Sequence, residues 1–248
     1  MSRNSRILAA TRAATYSFLR RRTAMFFTFG FPLILVGIFG VIVQTNPTGG
    51  GLFGNPVGYY VPGYLAVVVV FTPLSRVGST IARYREQNRF EKLATTPLGK
   101  TEWLLAETIV NTGIILVASA LLILTILLFT DATIHLSFLL IPLIVGGVVV
   151  FVGIGALIGR VAKSQDGVIA ASNAVALPVV FLSDTFVSPG MLPAWVQGVI
   201  ELSPLTYFAR GVRNVTYLQE PAGHELLVLL GLAVCFFALG ALAVPQRE

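Results

Sequence analysis

Apolar runs dominate the chain, and short polar or charged stretches separate them. A helix that crosses about 30 Å of hydrocarbon needs about 20 mostly apolar residues, and it must satisfy its backbone hydrogen bonds internally. We therefore expect an all-α polytopic membrane protein that folds as a single transmembrane domain over residues 1–248. Six runs predict its transmembrane helices: 25–43, 59–81, 104–129, 136–159, 167–186 and 224–244.

Composition excludes an ordinary soluble protein. Apolar residues make up 55% of the chain and charged residues 11%, whereas about a quarter of the residues of a soluble domain are charged. No stretch of about 100 residues, the usual size of a domain, is free of apolar runs, so we expect no separate soluble catalytic domain. Cys235 is the only cysteine and lies within an apolar run, and the two histidines are far apart. The sequence thus offers neither a disulfide framework nor a metal site.

Basic residues are distributed unevenly between alternate connections. Fourteen Lys and Arg residues lie on one side of the predicted spans: before span one, between spans two and three, between spans four and five, and after span six. The connections on the opposite side hold two, Arg210 and Arg213. Positive residues are retained on the cytoplasmic side, which predicts a multi-pass protein of the cell membrane with both termini in the cytoplasm. Because this sorting accounts for the net charge of +6, we expect membrane lipids and no nucleic acid as partners.

The first two dozen residues have a helical pattern. Ile7, Thr11, Ala14 and Phe18 recur at helical spacing, and the arginines lie towards the ends and on another face. This pattern predicts an interfacial helix within residues 1–24, with its apolar stripe at the acyl boundary and its arginines on anionic headgroups. A frayed basic leader is the alternative.

The connection between spans two and three, residues 83–102, is rich in charge. A short amphipathic helix from about residue 84 to 94 would place Phe90 one turn from Glu86 and from Leu93, and the following Thr-Thr-Pro-Leu-Gly would end it. Such a helix can dock on a partner protein. An ordinary solvated turn is the alternative.

The connection between spans five and six, residues 187–215, is too apolar for a solvated loop. Pro189, Pro193 and Pro204 prevent a single helix from crossing it. Two short helices, 193–202 and 204–215, are predicted instead. Irregular backbone at membrane depth survives where protein or a water-filled cavity covers it, so we expect a re-entrant helical hairpin that enters from the outer surface as a gate. A helix pair lying flat in the interface is the alternative.

Three polar residues lie within the apolar frame: Arg76, Glu107 and Asn111. A charge at membrane depth is costly and usually faces an interior or a cavity. Because spans two and three are antiparallel neighbours, Arg76 and Glu107 can pair; the alternative is that both reach the inner interface separately. An intramembrane enzyme would depend on Glu107, Asn111, Asn173 and Asp184, which do not form a known catalytic pattern, so we expect no catalytic residues.

Two motifs and the span layout resemble those of the type-2 permeases of ATP-binding-cassette (ABC) transporters. Residues 85–98, REQNRFEKLATTPL, are similar to the family's Arg-Glu…Gly-Thr-Leu-Glu-x-Leu…Thr-Pro-Leu segment. Pro189…Leu192-Pro193…Trp195 and Pro204-Leu205-Thr206-Tyr207…Gly211-Val212-Arg213 are similar to its terminal block. The resemblance covers nearly the whole chain. The family's Gly-Thr pair is Asn88-Arg89 here, so the detailed contact with a partner is expected to differ.

The resemblance implies an exporter subunit that works as a homo- or heterodimer of permeases and moves a hydrophobic or lipid-like compound outward. A separate cytoplasmic ATPase would bind ATP and Mg and grip the loop between spans two and three; this chain would bind no cofactor. A regulatory or signalling subunit is the alternative. The residues implied in ATPase coupling are Arg85, Glu86, Phe90, Glu91, Leu93, Thr95, Pro97 and Leu98. Those implied in the gate are Pro189, Pro193, Trp195, Pro204, Tyr207 and Arg213.

Overall fold

A computed structural model describes residues 2–38, 55–187 and 193–245, and the regular structure in these ranges is helical. A π-helical stretch, Phe26–Gly30, joins α2 to α3; a 3-10 turn, Val57–Tyr60, leads into α4; and a second π-helical stretch, Asn214–Leu218, follows α10. The α-helices are α1 (Arg3–Leu19), α2 (Arg22–Met25), α3 (Phe31–Val36), α4 (Val61–Glu86), α5 (Arg89–Ala94), α6 (Lys100–Phe129), α7 (Leu140–Val161), α8 (Gln165–Phe181), α9 (Ala194–Leu202), α10 (Pro204–Arg213) and α11 (Gly223–Ala243).

Four helices in the described ranges are long and apolar enough to cross a membrane. They are Val57–Glu86, Lys100–Phe129, Leu140–Val161 and Gly223–Ala243, and they match predicted spans two, three, four and six. Predicted span one is represented by a shorter apolar segment, Arg22–Val36, and its end after residue 38 lies outside the described residues. Predicted span five is also shorter than expected: α8 ends at Phe181, and the chain then turns through Asp184, whose φ is 54°.

The helix boundaries differ from the predicted ones for identifiable reasons. Helix α4 continues past residue 81 to Glu86, and its last turn carries Arg83 and Arg85. Helix α7 begins later than residue 136, because the preceding chain is extended and the His135 backbone N–H donates to the Thr216 carbonyl at 2.9 Å.

The predicted single helix over residues 84–94 is wrong. Asn88 adopts a left-handed conformation, with φ 50° and ψ 33°, and it separates the end of α4 from α5. Asparagine is one of the few residues other than glycine that adopts this conformation readily. Arg85 and Glu86 therefore belong to the last turn of α4, whereas Phe90, Glu91 and Leu93 belong to α5.

Helix α7 lies between α4 and α11, and glycines allow the close approach. A Cβ added at Gly159 would lie 2.7 Å from the Gly78 carbonyl oxygen of α4, and one at Gly153 would lie 2.2 Å from the Phe236 carbonyl oxygen of α11. Such distances leave no room for a side chain without moving backbone, so these glycines define the helix–helix contacts within one chain.

The N-terminal segment is helical, as its periodicity predicts. The Ser2 hydroxyl caps α1 by accepting a hydrogen bond from the Ser5 backbone N–H at 3.4 Å. Helix α1 packs against α6 and buries Ala14 and Phe18. Arg6 donates two hydrogen bonds to Glu102 near the start of α6, at 2.6 and 3.0 Å. The stripe is therefore only partly free for lipid, because α6 covers some of it.

Candidate coupling element, cavity and outer hairpin

Helix α5 is fixed to the transmembrane helices by three aromatic rings. The Phe90 ring centroid lies 5.5 Å from that of Tyr84 in α4 and 5.7 Å from that of Trp103 in α6. Phe90 is 7% exposed. Aromatic pairs at this spacing add about 0.5–1.5 kcal/mol beyond the area that they bury. Phe90 is thus an internal anchor that holds α5 to both helices.

This burial changes the contact expected of Phe90, because an inward-facing ring is not presented to a partner. The exposed residues of α5 are Arg89, Glu91, Lys92 and Ala94, and Leu93 is partly covered. The hydroxyl groups of Thr95 and Thr96 donate to the Lys92 and Leu93 carbonyls at 2.8 and 2.7 Å and close the end of the helix. Beyond it, Pro97 is exposed and Leu98 is partly buried.

Arg85 and Glu86 contact the α7–α8 connection of the same chain. Arg85 Nη1 donates to the carbonyls of Arg160 and Ala162 at 2.8 and 3.2 Å. Glu86 accepts from the backbone N–H and side-chain amide of Gln165 at 3.2 and 3.3 Å. These two residues therefore join the end of α4 to the start of α8, and much of their hydrogen-bonding capacity is used inside the chain.

A groove of about 760 Å³ lies beside α5. Its walls come from α5, the start of α6, the end of α7 and the end of α11, and it contains the side chains of Lys100 and Arg160. Leu93, Pro97 and Leu98 line it. Four of the predicted coupling residues therefore line one groove: Phe90, Leu93, Pro97 and Leu98.

A larger cavity of about 930 Å³ lies between the N-terminal helices α1–α3, helix α4 and helix α8. We call it the arginine cavity. One end is lined by Val67, Val68 and Phe71 of α4. Its other end is lined by five arginines: Arg20, Arg21, Arg22, Arg76 and Arg83. The arrangement gives one compartment an apolar portion and a strongly basic portion.

The expected pairing of Arg76 with Glu107 is present. Arg76 Nη1 lies 3.1 Å from Glu107 Oε2, and their side chains are 12% and 4% exposed. Neither of these two atoms has a partner with hydrogen-bond geometry among the described residues, so the contact is an ion pair without an aligned hydrogen bond. Arg76 also donates to the Ala14 carbonyl at 3.3 Å and lies 5.6 Å from the Phe18 ring centroid, which joins α1 to α4 and α6.

Asn111 does not join this pair. Its amide nitrogen donates to the Glu107 backbone carbonyl, one turn earlier in α6, at 2.7 Å. Its carbonyl oxygen is buried and has no hydrogen-bond partner in the described part of the chain. Asn173, which sequence reasoning placed only in an enzyme hypothesis, lines the arginine cavity instead.

The helix pair predicted between spans five and six is present as α9 and α10. Pro193 precedes the first residue of α9, and Pro204 occupies the first turn of α10, where a missing N–H costs nothing. Trp195 is 78% exposed on α9. The Tyr207 hydroxyl donates to the Glu201 carbonyl at 2.9 Å and ties the two helices together. Pro189 lies outside the described residues.

A second charged group holds α10 to the end of α8; we call Asp184, Glu201, Arg210 and Arg213 the Asp184 cluster. Arg213 Nη1 lies 3.1 Å from Asp184 Oδ1, and Arg210 Nε lies 3.2 Å from Asp184 Oδ2. Arg210 also donates two hydrogen bonds to Glu201, at 2.7 and 3.0 Å. These bonds lower the pKa of the Glu201 carboxyl and raise that of the Arg210 guanidinium.

Sequence reasoning identified Arg213 but not its partner Asp184 as part of the hairpin. A signal was available: Arg210 and Arg213 are the only basic residues in the connections expected outside, and Asp184 is an acid at the end of the neighbouring apolar run. A buried charge requires a partner. Matching the two arginines with the acids expected on the same side, Asp184 and Glu201 among them, would have predicted this cluster.

Comparison with known proteins identifies the class of protein that these features define. Residues 5–217 match the model of the ABC-2 type transporter family, so the chain belongs to that family and is a multi-pass transport permease. In this family the ATPase activity resides in a partner chain.

One relative shares 30% identity over 87 residues: the daunorubicin resistance ABC transporter permease protein DrrB1 of Streptomyces coeruleorubidus. The aligned segment covers 34% of this chain and 31% of the relative.

Proposed function

We propose that the chain is the membrane subunit of an ATP-driven exporter that moves a hydrophobic or amphipathic compound outward. The candidate substrate classes are drug-like molecules, lipids and lipid-linked glycans. The observation that carries this proposal is the arginine cavity, whose 930 Å³ suits a compound of this size. The relative named as a drug-resistance permease supports the same class.

Helix α5 and its contacts supply a route from a partner to the transmembrane helices. A partner that displaces α5 moves Phe90, and this ring contacts α4 through Tyr84 and α6 through Trp103. The end of α4 is bonded to the start of α8 through Glu86 and Gln165. Rigid helices transmit small displacements of this kind over long distances. Movement of α5 would therefore reach two walls of the arginine cavity, α4 and α8.

We infer that the partner is a cytoplasmic ATPase subunit, which would hold ATP and Mg, and that a second permease, the same chain or a relative, completes the transporter. The orientation follows the sorting of Lys and Arg, with both termini and α5 inside the cell. A cysteine placed at exposed Gln87 in a Cys235→Ser background tests this orientation. Impermeant maleimide should label it after cell lysis only, and labelling of intact cells would overturn the proposal.

Charge reversal on the exposed face of α5 tests the coupling. We expect Lys92→Glu to reduce co-purification with the ATPase at least about tenfold, because like charges brought together across an interface cost several kcal/mol. Lys163→Glu is the matched control, since Lys163 is exposed on the neighbouring connection. Phe90→Ala is less informative, because it also removes a buried anchor. Equal co-purification by the Lys92→Glu variant, the control and the unaltered chain would contradict this assignment.

Reconstituted vesicles separate export from regulation. With the ATPase present, ATP should drive movement of an amphipathic compound across the bilayer, and the Lys92→Glu variant should lose that movement. ATP hydrolysis that responds to the permease without movement of any tested compound would favour a regulatory or signalling subunit.

A further inference from the structure

Arg83 is the buried cation of the arginine cavity that has no carboxylate partner among the described residues. Arg83 is 9% exposed, and its Nη1 atom has no hydrogen-bond partner among the residues that the structure describes. Its guanidinium carbon lies 5.8 Å from the Tyr84 ring centroid, a contact that provides no hydrogen-bond acceptor for Nη1. A buried guanidinium N–H without an acceptor is costly, and this one lies on the wall of the cavity.

The charges around the cavity do not balance. Five arginines line it, and Glu107 is the only carboxylate among its described lining residues. Glu107 is already paired with Arg76 at 3.1 Å. The basic end therefore has four positive charges in excess: Arg20, Arg21 and Arg22 are exposed at its rim, whereas Arg83 is buried in its wall. An anion placed there would meet a strong attractive potential, whereas a cation would be repelled.

The apolar residues lie far from Arg83, although Arg76 lies between them on α4. Val67 precedes Arg83 by 16 residues on α4, which corresponds to about 24 Å along the helix. Val67, Val68 and Phe71 line the far end. Serine and threonine side chains lie between the two ends on α4. A ligand that uses both ends must therefore be long, with a charged head and an apolar tail.

We infer that the arginine cavity binds an amphiphile with an anionic head, held by Arg83, and an apolar tail directed towards Val67 and Phe71. Guanidinium groups bind phosphate and carboxylate oxygens through paired, charge-assisted hydrogen bonds. The inference rests on the proposed function and narrows its substrate class to anionic amphiphiles. A resident anionic lipid and a transported amphiphile share this chemistry, and so does free phosphate for the head alone.

Binding of matched probes tests the inference on the full-length chain with its ATPase in neutral phosphatidylcholine nanodiscs. The probes are fluorescent dodecyl phosphate and the same dodecyl chain carrying a trimethylammonium head. We expect dodecyl phosphate to bind at least about tenfold more tightly. Inorganic phosphate at the same concentration should not displace it. Equal binding of the two amphiphiles, or equal displacement by inorganic phosphate, would overturn the inference.

Variants locate the head. Arg83→Gln should weaken dodecyl phosphate binding about tenfold, because it removes one charge-assisted interaction, and Arg83→Lys should retain most of the affinity. Arg12→Gln is the matched control, since Arg12 is exposed on α1 outside the cavity. A monodisperse elution profile for each variant confirms folding. Unchanged affinity in a folded Arg83→Gln variant would contradict the assignment of the head to Arg83.

Transport assays separate this inference from the proposed function. If dodecyl phosphate binds through Arg83 but ATP does not move it in vesicles, the cavity holds a resident lipid and the export proposal fails while the site stands. If ATP moves both amphiphiles equally and Arg83→Gln has no effect, export stands and the anionic-head inference fails.

Discussion

The two charged regions of the molecule differ in how completely their charges are matched. The Asp184 cluster contains two acids and two arginines, and every member contacts a member of opposite charge. The arginine cavity contains five arginines and one glutamate, and Arg83 Nη1 has no partner in the described residues. The first arrangement is complete within the chain, whereas the second has binding capacity that the chain itself does not use.

This difference separates a structural role from a binding role. A matched cluster fixes the geometry of the elements that it joins, here the end of α8 and helix α10. In the arginine cavity, burial of Arg83 Nη1 without a partner reduces stability. Such a cost is expected where a site serves a ligand. We therefore assign the positioning of the hairpin to the Asp184 cluster and ligand binding to the arginine cavity.

The largest expected loss of stability follows from removing Asp184, the acid that contacts both arginines of the Asp184 cluster. Asp184→Ala leaves Arg213, whose side chain is 5% exposed, without its carboxylate. Breaking a buried pair in this way costs about 3–5 kcal/mol. The unfolding temperature of the detergent-purified chain should therefore fall. Asp166→Ala, an exposed change on α8, should leave this temperature unchanged. A small shift for both variants would remove the structural role of this cluster.

An intermediate loss of stability is expected from changing Glu107, which lines the arginine cavity. Glu107→Gln leaves Arg76 facing an already basic recess, but Arg76 keeps its contacts with Ala14 and Phe18. We expect a loss of about 1–3 kcal/mol in the free energy of unfolding. The double variant Arg76→Gln with Glu107→Gln should recover part of the loss, since no unpaired charge remains. Additive effects in this double-mutant cycle would show that the two residues are not coupled.

The smallest expected effect on stability comes from Glu201, the exposed acid of the Asp184 cluster. Arg210 lowers the pKa of Glu201 in the folded chain through its hydrogen bonds. This pair therefore stabilises fully above the ordinary pKa of a glutamate, and the stabilisation is lost as the pH falls through the lowered folded-state pKa. Because the Glu201 side chain is 53% exposed, solvent screening limits its contribution to about 0.2–1 kcal/mol.

Glu201→Gln should flatten this part of the stability profile below about pH 4, while Glu220→Gln, an exposed change near the same end, should not. Thermal unfolding measured across the acidic range gives both profiles. Identical profiles for the two variants would exclude a contribution from the Glu201–Arg210 pair.

The fold was predictable where hydrophobic length alone decides it. Helices α6, α7 and α11 are long, apolar and close to the predicted ranges. Prediction was wrong where local conformation overrides the pattern: Asn88 breaks the expected coupling helix through a left-handed residue, which periodicity does not detect. Helix α8 ends earlier than its apolar run, because the segment after Phe181 turns to bring Asp184 to α10.

The candidate site was predictable in part. Arg76 and Glu107 could be paired from their positions on antiparallel neighbours, and the structure confirms the contact. The inward direction of Phe90 could not be derived, because it depends on Trp103, which lies 13 residues later on another helix. The cavity could not be derived either, because its walls come from segments up to about 160 residues apart and local spacing does not encode non-local packing.

Close glycine contacts make α4, α7 and α11 a single mechanical block. Backbone packs against backbone at these contacts, because a Cβ added at Gly159 or Gly153 would lie 2.7 Å or 2.2 Å from a carbonyl oxygen of the neighbouring helix. Any opening of the molecule is consequently expected at helix contacts outside this block, which include those of the N-terminal helices and of α8. The N-terminal helices and α8 are walls of the arginine cavity. The helix contacts that can change are therefore those around the proposed substrate path.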